Sequence, residues 1–290
     1  MKDKDLLSWS VIEKHREGTF CYNPRRHLKT RKDAIRFVNE RGFVFFWPIS
    51  GFEVPSLWGA VAGNRPVPNN HDDPAHITWR WKDDLLGKGV WYYAKVLRQK
   101  STMISLNLLP YFYSLSPNFG NPEEDYLITY QEGKLSLEEK QVYEALLDKG
   151  PLDSLALRKE ARLSTKENAY RFSRALNLLM RDFRIFPVGV AKAGTWNYAF
   201  VYDAVHRQFP DLIETAHPVS EPEGRACILE TYFRSVGACK VSMIRKLFLW
   251  PEKLIERTLA FLTKSQIINH QVKFKDKEGE WWLLSALINS

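Results

Sequence analysis

The stretch that decides the fold is residues 164–202, STKENAYRFSRALNLLMRDFRIFPVGVAKAGTWNYAFVY. It predicts a helix from Ser164 or Thr165 to about Phe183, then strands over 185–190 and 196–202 joined by a glycine-containing loop of hairpin size. Two further helices are predicted just before it, over 136–150 and 152–161. Three helices followed by a hairpin are the order of a winged helix-turn-helix, whose third helix commonly enters the DNA major groove.

The predicted third helix has an apolar and a basic side. Its apolar positions follow the i, i+4, i+7, i+11 spacing of one buried face: Phe172, Leu176, Leu179 and Phe183. Off that face lie side chains that bind phosphate or pair with base edges: Arg171, Arg174, Asn177 and Arg181. Lys192 follows in the predicted wing. We expect these five residues to contact double-stranded DNA; a merely solvated helix face is the alternative interpretation.

The C-terminal part of the sequence predicts the same order of elements again. Its elements are helices over 222–236, over 241–249 and from about Pro251, then strands over 267–274 and 280–287. Residues 275–279 form the predicted hairpin loop, and the proline-rich residues 210–222 form the predicted connector. A second winged helix is therefore expected.

The N-terminal segment is rich in aromatic residues and is harder to assign. A helix over 31–41 is predicted to end at Gly42 and to be followed by an apolar run that Pro48 interrupts. Shorter elements follow: helices over 57–62 and 79–86, strands over 91–96 and 102–105, and an apolar helix or turn over 106–115.

Together these elements predict an α+β protein, mainly α, built of tandem winged helix-turn-helix modules. The predicted division is a divergent winged-helix-like domain over 1–125, a winged helix over 135–205 and a second winged helix over 221–290.

The charge of the chain suits a polyanionic partner. Its 290 residues carry a formal net charge of +8, and the pI is about 9.2. A dense basic patch near the start contains Arg25, Arg26 and Arg31. We expect these three side chains to contact DNA phosphates, with a solvated surface as the alternative.

Cysteine usage and hydropathy exclude several classes of protein. The three cysteines, Cys21, Cys227 and Cys239, fit neither a disulfide framework nor a zinc knuckle. No apolar stretch approaches the ~18 residues that span a bilayer, and no glycine-rich phosphate loop or nucleophile elbow is present. We expect a cytoplasmic protein with no cofactor, no bound metal and no membrane partner. The oligomeric state is left open.

Three stretches resemble the AlkZ/YcaQ-like crosslink-repair DNA glycosylases, a family also described as winged-helix DNA-binding proteins. They are the predicted helix that ends at Gly42-Phe43-Val44, the pair WYYA at 91–94 and MISLNLLPYF at 103–112, and the winged helix after residue 135. The resemblance covers most of the chain. It implies tandem winged helices, a duplex DNA partner and a role in excising alkylated or crosslinked bases.

The catalytic signature of that family is Gln, any residue, then Gln or Asp, just after the Gly-apolar-apolar step. The matching positions here are Phe45, Phe46 and Trp47, so those catalytic residues cannot be carried over. Either the chemistry is lost, or other residues perform it, or the register differs by a few positions. Phe45 and Trp47 could stack on a flipped base; a buried strand is the alternative.

The best replacement for that signature is the segment NNHDDPAH at 69–76. A carboxylate near the sugar carbon could stabilise positive charge or activate water, which Asp72 or Asp73 could do with His71 or His76 assisting. Glu53 is a second candidate. The alternative is that these are turn and capping residues. A metal site of His71, Asp72 and His76 would lack a clear fourth ligand.

Two other functions remain open at the level of sequence. A non-enzymatic DNA-binding protein, such as a transcription regulator, would bind tightly and sequence-selectively without releasing a base. A protein-interaction scaffold would show little salt-dependent affinity for DNA, because its basic faces would only be solvated.

Overall fold

The computed structural model describes residues 7–70, 72–118, 120–194 and 196–288. The α-helices in chain order are α1 Ser10–Thr19, α2 Arg31–Arg41, α3 Leu57–Ala62, α4 Ile77–Leu85, α5 Leu109–Tyr113, α6 Asp125–Gln131, α7 Leu137–Lys149, α8 Ser154–Glu160, α9 Ala169–Arg181, α10 Val205–Gln208, α11 Leu212–Ala216, α12 Glu221–Val236, α13 Val241–Phe248 and α14 Glu252–Lys264. The strands are β1 Phe43–Phe45, β2 Tyr92–Ala94, β3 Thr102–Ile104, β4 Leu152–Asp153, β5 Ile185–Ala191, β6 Ala199–Ala204, β7 Ala238–Cys239, β8 Ile268–Phe274 and β9 Lys277–Leu284.

Mixed helix and strand content makes this an α+β protein in which helix predominates. The strands form three sheets of three strands each, in the orders β1-β3-β2, β4-β6-β5 and β7-β9-β8. In the second and third sheets a short strand and a hairpin surround a pair of helices, so the order helix, strand, helix, helix, hairpin occurs twice.

Residues Trp79–Glu221 form one of two compact units. Helix α7 begins with a capping box in which Ser136 and Glu139 satisfy each other's backbone N–H groups. Helix α8 begins at the N-cap Asp153, whose carboxylate accepts from two backbone N–H groups. In the core of this unit Arg184 donates to Asp125 at 2.6 Å and to Thr129 at 3.2 Å.

The other unit is discontinuous in sequence and combines residues up to Thr78 with residues from Pro222 onward. Helix α2 begins with a second capping box, formed by Thr30 and Asp33. One part of its core joins the two ends of the chain, because Trp9 and Ile12 pack against residues of the β7-β9-β8 sheet, including Ala238, Phe274, Trp281 and Leu283. The three-domain division predicted from the sequence stays a prediction.

Helix α9, in the stretch 164–202, is shorter at both ends than the helix predicted from the sequence. Thr165 is followed by a 3₁₀ turn, Lys166–Asn168, and α9 begins only at Ala169. The helix ends at Arg181, and Phe183 adopts a left-handed backbone with φ of 57°. All four predicted apolar side chains, Phe172, Leu176, Leu179 and Phe183, are nevertheless buried.

Two predicted loops contain secondary structure instead. The predicted connector over 210–222 contains α11, whose Leu212 and Ala216 are buried, so apolar burial outweighs the helix-breaking composition around it. The predicted five-residue hairpin loop over 275–279 is a tight turn, because Phe274 already pairs with Lys277. Within the described ranges, no helix is both long and apolar enough to cross a lipid bilayer.

Candidate nucleic-acid interface

Helix α9 presents several cationic side chains to solvent. Arg171 and Arg174 are exposed, and Asn177 is half-buried. Arg171 lies 3.3 Å from Glu138, and Arg181 forms a two-pronged ion pair with Asp182 at 2.6 and 2.9 Å. Arg174 makes no ion pair with any residue that the structure describes. Because these pairs are exposed, a phosphate can compete for the arginines at little cost.

The hairpin after α9 carries an exposed aromatic side chain that the sequence analysis did not single out. Trp196 is 88% exposed near the tip between β5 and β6, and Lys192 in the same connection is also exposed. Tyr170, in the first turn of α9, is 75% exposed. The sequence placed Trp196 at the start of a predicted strand over 196–202, whereas β6 begins only at Ala199 and leaves Trp196 in the connection.

A buried lysine holds the start of β6 in place. Lys82 donates to the Tyr198 hydroxyl at 3.0 Å, and that hydroxyl donates to Asp83 at 2.9 Å. The ammonium group also lies 4.7 Å from the ring centre of Phe200. Burial lowers the pKa of Lys82, while the adjacent Asp83 opposes that shift. The loop end of the hairpin is thus anchored to α4 at Tyr198, two residues after the exposed Trp196.

The positions that match the family's catalytic signature hold packed aromatic rings. Phe45 and Phe46 are buried, and Phe45 packs edge-on against Phe52 at 6.3 Å. Phe45 belongs to β1, so the buried-strand interpretation describes it, and its ring face is closed to a base in this structure. Trp47 is half-buried and remains the stacking candidate.

Trp47 belongs to a group of side chains that we call the tryptophan–acid cluster: Trp47, Trp58, Arg65, Asp73 and His76. The ring centre of Trp47 lies 6.3 Å from that of Trp58 and 5.9 Å from that of His76. The Arg65 guanidinium lies 4.8 Å from the Trp58 ring centre and donates to Asp73 at 2.8 Å. The structure therefore links a predicted carboxylate, Asp73, to a predicted stacking residue, Trp47, through Arg65 and Trp58, which the sequence did not indicate.

Asp73 has a structural role of its own in this cluster. It caps the 3₁₀ turn Pro74–His76 by accepting from the backbone N–H of Ala75 at 2.9 Å. The hydrogen bond from Arg65, and then that from Ala75, lower the pKa of its carboxyl group. A capped, paired and ionised carboxylate cannot act as a general acid near neutral pH and is a weak base toward water.

The other predicted catalytic residues lie in different settings. Asp72 is exposed, and its backbone N–H donates to the side chain of Asn70 at 2.9 Å. Glu53 forms an ion pair with Arg16 at 2.9 Å. His71 lies outside the described residues. Among the residues that are described, no three His, Cys, Asp or Glu side chains come together as metal ligands would.

The basic patch near the start of the chain is exposed. Arg25 and Arg26 lie in a 3₁₀ turn, Pro24–Arg26, that Asn23 caps. Arg31 is the first residue of α2 and is also exposed. These side chains belong to the discontinuous unit, whereas α9 belongs to the other.

This architecture is shared with a solved structure of known activity. Streptomyces sahachiroi DNA glycosylase AlkZ has a similar fold, with a TM-score of 0.61 and 14% sequence identity, over 97% of this chain and 71% of that chain. At this identity the match establishes the fold alone. The chain belongs to the AlkZ-related family, whose model matches residues 28–249, which confirms the resemblance inferred from the sequence. No curated protein sequence matches the chain significantly.

Proposed function

We propose that this protein binds duplex DNA through α9 and the β5–β6 hairpin, and that these elements are the recognition helix and wing of a winged helix. The observation that carries the proposal is the exposed cationic side of α9, with Arg171 and Arg174, followed directly by a hairpin that exposes Lys192 and Trp196. Arginine supplies phosphate contacts and bidentate contacts to guanine, and an exposed aromatic ring can stack on bases. The C-terminal repeat of the same element order would be the second winged helix.

We assign this binding to a DNA repair role because the chain belongs to the AlkZ-related family. The fold match to a protein named a DNA glycosylase supports the same assignment. Positions 45–47 hold aromatic residues in place of the family's water-orienting side chains, which favours DNA binding without base excision. A transcription regulator of the same fold would instead discriminate between undamaged sequences.

The test of binding is a titration of labelled duplex DNA at several salt concentrations. Replacing Arg171, Arg174 and Arg181 together with Ala should weaken binding. It should also reduce the slope of log affinity against log salt concentration by about one for each phosphate contact removed. Arg257→Ala, which removes an exposed arginine in the other unit, is the matched control. Equal affinities of wild type and triple variant would remove α9 from the interface, and salt-insensitive binding would favour the protein-interaction scaffold.

Base excision by a relocated carboxylate is the second candidate function. Its specific support is that Asp73, an ionised carboxylate able to stabilise positive charge on a sugar, is linked to Trp47 through Arg65 and Trp58. Duplexes with alkylated purines or an interstrand crosslink should be incubated with wild type, Asp72→Asn and Asp73→Asn. Release that falls in either variant would establish a glycosylase. Salt-sensitive binding without release from these substrates would favour a protein that binds DNA and does not cleave the glycosidic bond.

A further inference from the structure

A cavity of about 830 Å³ lies beside α1 and α2 in the discontinuous unit. It is lined by residues of both helices and the segment between them, together with Leu287. A second cavity of about 420 Å³ shares Gly18, Cys21, Arg26, Phe37 and Glu40 with it and adds Arg25, His27, Leu28, Lys29, Asp33 and Arg36. The larger volume lies within the usual range of small-ligand sites. None of the candidate residues in the tryptophan–acid cluster lines either cavity.

Cations outnumber carboxylates around the larger cavity, which we call the α1–α2 cavity. Its lining contains Lys14, Arg26 and Arg41, against the single carboxylate of Glu40. Glu40 also lies 3.9 Å from Arg36. No ion pair joins Lys14, Arg26 or Arg41 to any residue within the described ranges. Three cations are therefore available to an anion.

Both arginines in this set lie against the rest of the protein. A side-chain carbon added at Gly18 would lie 3.2 Å from Nη1 of Arg26, so the guanidinium rests against the α1 backbone at a residue without a side chain. Arg41 is half-buried at the last turn of α2, and burial lowers its pKa. A half-buried guanidinium without a carboxylate partner gains more from binding an anion than a solvated one does.

The rest of the lining is suited to a nucleoside. Val11, Phe37 and Leu287 supply apolar surface beside the cations. We propose that the α1–α2 cavity binds an unpaired nucleotide of a DNA strand, with its phosphate at Arg26 and Arg41 and its sugar or base against Val11 and Leu287. A paired duplex is too wide to enter a cavity of this volume, whereas single strands combine phosphate contacts with contacts to base faces. This inference rests on the proposed function, because the cavity would be a second contact for the DNA that α9 binds.

The test compares three labelled ligands: a blunt duplex, the same duplex with a short single-stranded overhang, and an oligothymidylate. We expect the double variant Lys14→Ala, Arg41→Gln to lose about tenfold in affinity for the overhang duplex and the oligothymidylate, and to bind the blunt duplex as wild type does. Lys14 is exposed, and glutamine keeps a long polar side chain without charge at the half-buried position 41, so the variant should fold, which a thermal melt checks. Arg257→Ala should bind all three ligands as wild type does.

The outcomes separate this site from the α9 interface. The triple α9 variant should lose affinity for the blunt duplex and keep its affinity for the oligothymidylate. If wild type does not bind the blunt duplex but binds the single strand, the proposed function alone is refuted. The cavity proposal fails if wild type shows no preference for the overhang, or if the variant Lys14→Ala, Arg41→Gln binds the single strand as wild type does. It also fails if thymidine monophosphate, but not inorganic phosphate, saturates the site and no strand binds, since the ligand would then be a free nucleotide.

Discussion

At the scale of single residues, the same side chains that looked catalytic also have structural roles. Asp73 caps the turn Pro74–His76 and forms an ion pair with Arg65. That arginine in turn lies over the ring of Trp58. The sequence indicated the capping alternative, because Asp before Pro is typical of turns. It could not indicate Arg65 or Trp58, because those contacts depend on how distant segments pack.

Substitutions at Asp73 separate its capping role from catalysis. Asp73→Asn keeps an oxygen that can accept from the Ala75 N–H, whereas Asp73→Ala removes it, so thermal melts should rank wild type, Asn and Ala in falling order. The ionised Asp73 carboxylate has a lowered pKa, so its stabilising effect is present above the usual carboxyl range and is lost as the pH falls through the folded value. A variant Asp73→Ala that melts with wild type would contradict the capping role.

The buried pair of Arg184 and Asp125 predicts a large penalty for removing one partner. Their side chains are 1% and 2% exposed, so Arg184→Met would remove the cation that pairs with the Asp125 carboxylate in the core. We expect Arg184→Met alone to lower the free energy of unfolding by about 3–5 kcal/mol, and the double variant with Asp125→Leu to lose less. Urea denaturation of wild type and the two variants measures both values; a double variant at least as destabilised as Arg184→Met would contradict the expectation.

At the scale of elements, local patterns identified α9 and its hairpin, because the apolar spacing and the turn composition are contained within a few residues of each other. They did not identify α1, α6 or α11. Helix α1 has no side-chain cap at Trp9, and α6 has none at Glu124, so the usual start signals are missing. Both are stabilised mainly by packing, for example of Ile12 against the sheet that contains β7.

The exposed ring at the hairpin tip should contribute to affinity and not to folding. Trp196 is 88% exposed, so Trp196→Ala removes little packing and should leave the melting temperature unchanged. If the wing contacts DNA, the loss of one stacked ring should weaken duplex binding roughly tenfold. Phe261→Ala, at a 57% exposed position in the other unit, is the matched control. A Trp196→Ala variant that binds duplex and single strand as wild type does would exclude the tip from the interface.

At the scale of the whole molecule, the pairing of the first residues with the last could not be predicted from the sequence. Thr19 donates to the carbonyl of Ser235 at 2.6 Å, and the backbone N–H of Lys275 donates to the carbonyl of Leu7 at 3.0 Å. Periodicity shows which face of a helix is buried but not what covers it. The fold class could therefore be predicted, whereas the discontinuous unit and the tryptophan–acid cluster could not.

Two partly buried histidines predict that stability falls on mild acidification. Burial lowers the pKa of His15 and of His206; for His206 the charge of Arg207 adds to this, while Glu123, Asp203 and Asp125 oppose it. The unfolded chain therefore takes up these protons at higher pH than the folded chain, and the free energy of unfolding should fall as the pH drops through the usual histidine range near 6.5. Urea denaturation at pH 7.5 and 5.5 measures the fall.

The control for this acid sensitivity is the exposed His217. His206→Gln should lose less stability between the two pH values than wild type does, because it removes a group that titrates differently in the folded and unfolded chains. His217→Gln should follow wild type. An identical pH dependence in all three proteins would contradict the contribution of His206.

The discontinuous unit has a consequence for biosynthesis. Residues 79–221, which form the other unit, leave the ribosome after α1 and β1 but before the strands that cover Trp9 and Ile12. At a synthesis rate of ~5–20 residues per second, the strands that cover those apolar side chains are made on the order of ten seconds after them. We therefore expect this protein to depend most on chaperones while the second half of its chain is being synthesised. Slowing translation of that half should lower the soluble yield.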